Sequence, residues 1–194
     1  MAEIELPEVE ELEEARKDTF TRRVALTTAI YAVILAVTSL GGNNAMKEML
    51  LAQQQASNMW AYYQAKVIRE HLYRSQAFLL EAVAANPGKG NPGSQEKIQG
   101  ARTHLLNEAQ RFNQEKKDIE KEARQFERER DLNQKKDPYF DYGEVLLQIA
   151  IVLASIAIIS QSHRMYYFSI VTAFMGSAFS FNGFFLWVRL PYFP

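Results

Sequence analysis

Val24–Leu40 reads VALTTAIYAVILAVTSL, and the uncharged run that it opens continues through Gly41-Gly42-Asn43-Asn44 to Met46. Twenty residues of helix, rising about 1.5 Å each, cross a hydrocarbon core of about 30 Å. The block is long enough to span if part of the Gly-Gly-Asn-Asn segment lies at the interface. A cleaved signal peptide is the competing reading. The long acidic leader ahead of the block and the lack of an A-x-A site argue for an uncleaved anchor.

Two further blocks share this character. Val145–His163 lies between Glu144 and Arg164 and carries only Gln148, Ser155, Ser160, Gln161 and Ser162 as polar residues before the histidine. Met165–Val188 is uncharged up to Arg189, with Tyr166, Tyr167 and Phe168 at one end and Phe184, Phe185 and Trp187 at the other. Aromatic residues at both ends suit a helix whose ends lie at membrane–water interfaces. Mean composition conceals these blocks, because 23% of the 194 residues are charged and most of those fall in the middle of the chain. The net charge is -1 and there are no cysteines, so disulfides, thiol catalysis and Cys-ligated metals are excluded.

Between the first and second blocks, residues 45–85 predict one long helix, stopped by the turn cluster 86–93 (NPGKGNPG), where prolines and glycines forbid continuation. Ser94 is the expected N-cap of a second helix, with Glu96 in its first turn. That helix is expected to end at Asp137-Pro138, since a residue before proline avoids the α region. It carries the seven-residue stripe Ile98, Leu105, Phe112, Ile119, Phe126, beside a poorer seam of Arg102, Ala109, Lys116, Ala123 and Arg130. One strong position per heptad does not sustain a free coiled coil, but it suffices for packing on a neighbour. The first helix offers Met49, Ala52, Ala56, Met59, Trp60, Tyr63 and Val67 as an apolar face. Charges of both signs cover the rest, with i,i+4 pairs such as Glu70–Arg74 and Glu120–Arg124, and a nucleic-acid partner is not expected.

The predicted architecture is therefore an all-α membrane protein with three transmembrane helices and a long antiparallel, coiled-coil-like helical hairpin. Its parts are an acidic leader (1–21), a first transmembrane helix (22–44) and an extramembrane hairpin (45–136, tip 86–93). A linker (137–144), second and third transmembrane helices (145–163 and 165–188) and a tail (189–194) follow. Folding the hairpin about residues 89–90 sets His71 opposite Glu108, with His104 one turn away. Those three and Glu70 are the only imidazole–carboxylate set with metal-ligand chemistry. The plainer reading, ordinary polar residues on a solvated surface, is preferred. Neither a metal nor a cofactor is expected.

No P-loop, dinucleotide turn or Ser/His/Asp set occurs, so the chain is not expected to be an enzyme. The apolar blocks lack Asp, Glu, Lys and Arg, the usual marks of coupled transport. Two functions remain. One is a structural or interaction protein that forms a homo-oligomer in membrane lipid and can take a protein partner through its hairpin. Its interface would use Trp60, Tyr63, Ile98, Leu105, Phe112, Ile119 and Phe126, with Gly176-x-x-x-Ser180 packing the spans. The alternative is a passive channel made by the oligomer and lined by Gln148, Ser155, Thr172, Ser177, Ser180 or Asn182.

Arg16, Lys17, Arg22 and Arg23 precede the first span and Arg164 marks the loop after the second. The positive-inside rule makes that side cytoplasmic and puts the hairpin outside. The acidic leader, the stretches TTAIYAVILAVTSL (27–40), NNAM (43–46) and QQQASNMWAYYQAK (53–66), and the paired C-terminal spans resemble a family of small, uncharacterised bacterial membrane proteins defined by a domain of unknown function. The resemblance covers nearly the whole chain. It implies a bacterial inner membrane, with the hairpin periplasmic, and lends no catalytic residue.

Overall fold

A computed structural model describes residues 9–85 and 92–188, and among these every regular element is helical. There are three helices: α1 (Val9–Ala85), α2 (Pro92–Ser160) and α3 (His163–Phe185). Each is long and apolar enough to cross a membrane. The chain divides into two compact units, residues 1–48 with 132–194 and residues 49–131.

Several expected boundaries move. Residues 9–21 of the expected leader are the first turns of α1, which then runs without a break past 44/45. The second helix starts at Pro92, so Ser94 and Glu96 lie inside it and its first turn holds no acid. Proline suits a first turn because its missing N–H has no intrahelical partner there. No linker exists at 137–144, since α2 passes through Pro138. Proline inside a helix removes one hydrogen bond and costs about 3 kcal/mol. The two residues that follow, Tyr139 and Phe140, are both buried and hold the helix on course. The third helix stops at Phe185, short of Val188. The hairpin tip (86–91) and the tail (189–194) lie outside the described residues.

The first unit is a three-helix bundle built on very small residues. Leu147, Ala150, Ala154 and Ala157 of α2 are fully buried. On α3 the buried stripe is Ser169, Ala173, Gly176, Ser180 and Gly183, repeating every three to four residues. The segment of α1 contributes Val24, Tyr31, Thr38 and Ala45 at seven-residue steps. A side chain added at Gly176 would sit 3.0 Å from the Gly143 carbonyl oxygen, and one at Gly143 would sit 3.1 Å from the Ser180 nitrogen. The backbones of α2 and α3 approach closely there, and any side chain at either glycine would have to push the neighbouring helix back.

Phe140 fills the gap that remains. Its ring presses on Gly41, Gly42 and Gly183 and meets Phe184 edge-on at 4.8 Å. Beside it the buried hydroxyls of Thr38 and Ser180 share a hydrogen bond of 2.8 Å, joining α1 to α3.

The C-terminal ends of α2 and α3 are both capped. Gln161 adopts φ 52°, and the bonds Ser162 N–H to Ala157 O (3.2 Å) and Gln161 N–H to Ile158 O (3.4 Å) form a Schellman-type cap on α2. Two residues therefore make the whole turn into α3. At the other end Leu186 is left-handed, and the Asn182 side chain both donates to and accepts from the Val188 backbone at 2.8 Å.

The glycine contact sets a graded expectation. Gly176→Leu forces α2 and α3 apart and is expected to cost about 1–3 kcal/mol, read as a lower Tm in detergent. Gly100→Ala, with nothing within 4 Å of the new carbon, should stabilise by about 0.5–1 kcal/mol. Equal effects from the two would show that the close approach is not limiting.

Candidate interaction surface

The second unit pairs residues 49–85 of α1 with 92–131 of α2, and the partners run in opposite sequence order. Gln53 meets Arg130, Trp60 meets Glu127, Lys66 meets Glu115, Glu70 meets Lys116, and Glu81 meets Arg102. The register lies about one helical turn beyond the expected one. Glu70 meets Asn113 and Lys116, and Glu108 turns to Arg111 on its own helix (2.8 Å). His71 and His104 are both exposed. The imidazole–carboxylate set of His71, His104 and Glu108 therefore does not assemble. No group of three metal-ligating side chains occurs among the described residues.

The heptad residues face inward, as do their neighbours in the poorer seam. Phe112 and Ile119 are buried, while Ile98, Leu105 and Phe126 are half-buried. Ala109 and Ala123 are buried too, and the cations alternating with them (Arg102, Lys116, Arg130) reach acceptors on α1. Two charged residues of α1 occupy core positions, Lys66 and Glu70, both under 9% exposed. Lys66 lies between the rings of Tyr62 and Phe112, 5.1 Å from each centroid, and pairs with Glu115. Glu70 accepts from Lys116 (2.6 Å), Arg74 (2.8 Å) and Asn113 (3.0 Å). The indole N–H of Trp60 donates to Glu127 at 2.9 Å, with Tyr63 edge-on at 5.4 Å. Residues expected to bind another copy are thus engaged within one chain. Gly176 and Ser180 are likewise buried inside the bundle. A pair of long helices must first bury its own inner face, and these side chains lie on it.

Burial alone would raise the Glu70 carboxyl, but hydrogen bonds from Lys116 and Asn113 and the charge of Arg74 outweigh it and hold the group below its ordinary range. The hydrogen bond from Lys66 pulls Glu115 down in the same way, and the bond to Glu115 raises Lys66.

An apolar surface remains, on the far side of α1. Ile68, Leu72, Leu79 and Val83 recur at four- and seven-residue steps and stand 52–67% exposed, flanked by Tyr62 and Phe78. The α2 half of this unit shows one exposed large apolar residue among those described, Leu106. The asymmetry was missed because the inner face of α1 supplied apolar residues enough for a partner. The legible signal was that residues 59–84 are apolar on two opposite sides. Of the residues expected to line a pore, Gln148 and Ser155 lie exposed seven residues apart on α2, and Ser180 is buried. The hydroxyls of Ser155, Thr172 and Ser177 bond to carbonyls of their own helices, Ser180 is buried on Thr38, Gln148 reaches Glu144 and Asn182 caps α3.

Glu70→Ala strands the Lys116 cation and should cost about 2–3 kcal/mol, less than a deep ion pair because a two-helix unit has no deep interior. Glu120→Ala, at an exposed pair, should cost under about 1 kcal/mol. Because Glu70 and Glu115 titrate lower when folded, their stabilisation is full above the unfolded carboxylate pKa of about 4.3 and fades as pH falls through the depressed values. The raised Lys66 contributes below its unfolded pKa of about 10.4 and is lost as pH rises beyond it. Thermal melts across pH should show a plateau between these limits, with a weaker acid limb in Glu70→Ala.

A family model described as a domain of unknown function (DUF4337) matches residues 20–186. No curated protein and no solved structure matches the chain.

Proposed function

The chain belongs to the family defined by this domain of unknown function, and on that premise we propose that it is a non-catalytic, membrane-anchored structural protein that assembles with copies of itself. The three apolar helical segments cross a bacterial inner membrane as a bundle. The two-helix unit stands outside as a coiled-coil-like hairpin and carries the association surface. The observation that supports this reading is the exposed stripe of Ile68, Leu72, Leu79 and Val83. Apolar surface of that extent outside a membrane usually marks a partner face.

A second copy is the occupant that suits it. Copies inserted in one membrane share an orientation and depth, so identical stripes meet at the same height without a search in three dimensions. The charged outer face of α2 disfavours association through the other side.

The bundle's own ends support one orientation. Phe20 stacks on His163 at 4.3 Å and Gln161 donates to Thr21 at 3.4 Å, so Arg22 and Arg23 share one end with Arg164. The positive-inside rule assigns that end to the cytoplasm and the hairpin to the periplasm.

Two measurements test these points. The native mass of the nanodisc-held particle should be a multiple of 22.3 kDa, returning to a single chain in Ile68→Glu/Leu72→Glu. Those residues are exposed, so the variant keeps its helicity, and unchanged assembly would sink the association surface. For orientation, Ser94→Cys should react with an impermeant maleimide once the outer barrier is opened, in a chain with no other cysteine. Labelling only after lysis reverses the topology.

A further inference from the structure

Thr19, Phe20 and Arg23 of α1 and His163, Tyr166 and Tyr167 of α3 enclose a cavity of about 390 Å³ at the basic end of the bundle. Its polar lining consists of a guanidinium, an imidazole and three hydroxyls, with no carboxylate among the described residues. Phe20 sets the shape, packing against His163 at 4.3 Å and edge-on to Tyr166 at 5.9 Å, so that the imidazole is held as a wall. The Arg23 side chain is exposed. Lys17, Arg22 and Arg164 stand exposed around the same end and add positive charge beside the cavity, while Glu10, Glu11, Glu13, Glu14 and Asp18 precede it on α1.

The sequence neighbours on the apolar side show where this cavity lies. One to two turns along α1 are Leu26 (66% exposed) and Ile30, and on α3 are Phe168 and Val171, all exposed. In a bilayer that surface faces acyl chains. The cavity then sits at the depth of the lipid phosphates, where hydrogen-bond donors and positive charge have an anion within reach.

We propose that this cavity binds a phosphate group, presented by the headgroup of an anionic phospholipid. Arg23 supplies the fixed charge and a planar set of donors. His163 and the hydroxyls of Tyr166 and Tyr167 supply further donors, and Leu26, Ile30 and Val171 receive the chains. Zwitterionic lipids carry the same phosphate beside a cation that Arg23 and its basic surroundings repel, so discrimination rests on net charge.

The inference rests on the membrane reading above, and the test separates the two. Full-length protein is first mixed with vesicles of phosphatidylcholine containing phosphatidylglycerol and floated. A chain that stays behind the lipid fails the membrane reading itself. Protein that floats is released into mild detergent, and retained lipid is counted by native mass spectrometry in mixtures of the two lipids. Phosphatidylglycerol should be retained about tenfold over phosphatidylcholine, falling to about twofold or less in Arg23→Gln/His163→Gln. Lys17→Gln/Arg164→Gln, outside the cavity, should keep most of the preference. Inorganic phosphate that displaces the bound lipid confirms the phosphate chemistry. Inorganic phosphate bound by a chain that retains no lipid reassigns the source to a free anion and overturns the lipid claim. Equal retention of both lipids by the parent protein, or an Arg23→Gln/His163→Gln variant with its preference intact, overturns the site.

Discussion

The nearness of two helix backbones governs the bundle. Between apolar helices in a lipid-like environment there is little hydrophobic gain in association, since lipid tails are as apolar as leucine, and what holds helices together is packing and the few hydrogen bonds that close approach permits. Gly143 and Gly176 give that approach to α2 and α3. In the same region Ser180 lies within 2.8 Å of Thr38, and Phe140 packs among Gly41, Gly42 and Gly183. A larger residue at either contact glycine would lengthen all of these distances together. The buried alanines of α2 and the serines and glycines of α3 serve the same geometry, leaving the large side chains (Phe168, Phe174, Phe181) outward.

The two-helix unit solves the opposite problem, that of cohering with a core one side chain thick. Its seam mixes apolar residues with charges at heptad positions, and each core charge has a named partner: Lys66 with Glu115, Glu70 with Lys116. Pairs of this kind add little net stability, because desolvation offsets attraction. Their effect is on alignment. Sliding either helix by one heptad would set Glu70 against Ala109 or Ala123 in place of Lys116 and leave it unpartnered, while Lys66 would meet Glu108 or Glu122. Alanine-rich stretches pack almost equally well in several registers, so the charges decide among them.

What could be read from the sequence, and what could not, divides along physical lines. Composition and block length were sufficient for three apolar helices, because a run such as Val24–Leu40 has few other uses in a chain of this size. The seven-residue stripe on α2 was legible and does face inward. The register was not, since it depends on which charge finds which partner, and a shift of about one turn disperses His71, His104 and Glu108. Asp137-Pro138 read as a terminus because local backbone preference opposes α there. Tertiary burial of Tyr139 and Phe140 overrode it. The packing of Trp60, Phe112 and their neighbours within one chain was not legible for a simpler reason. Periodicity says that a face is buried, without saying against what.

The two-residue turn at Gln161-Ser162 also bears on how the chain is made. α3 carries Ser169, Thr172, Ser177, Ser180 and Asn182 within 23 residues, a polar load that weakens its own partition into lipid. Tethered by so short a turn, it leaves the ribosome already beside the more apolar end of α2. Several of its hydroxyls are satisfied by its own carbonyls, and Ser180 waits for Thr38. On the proposed membrane reading, the two segments would enter a bilayer as one unit, the second carried by the first. A nascent chain halted between them would hold a stable span and an unfinished one.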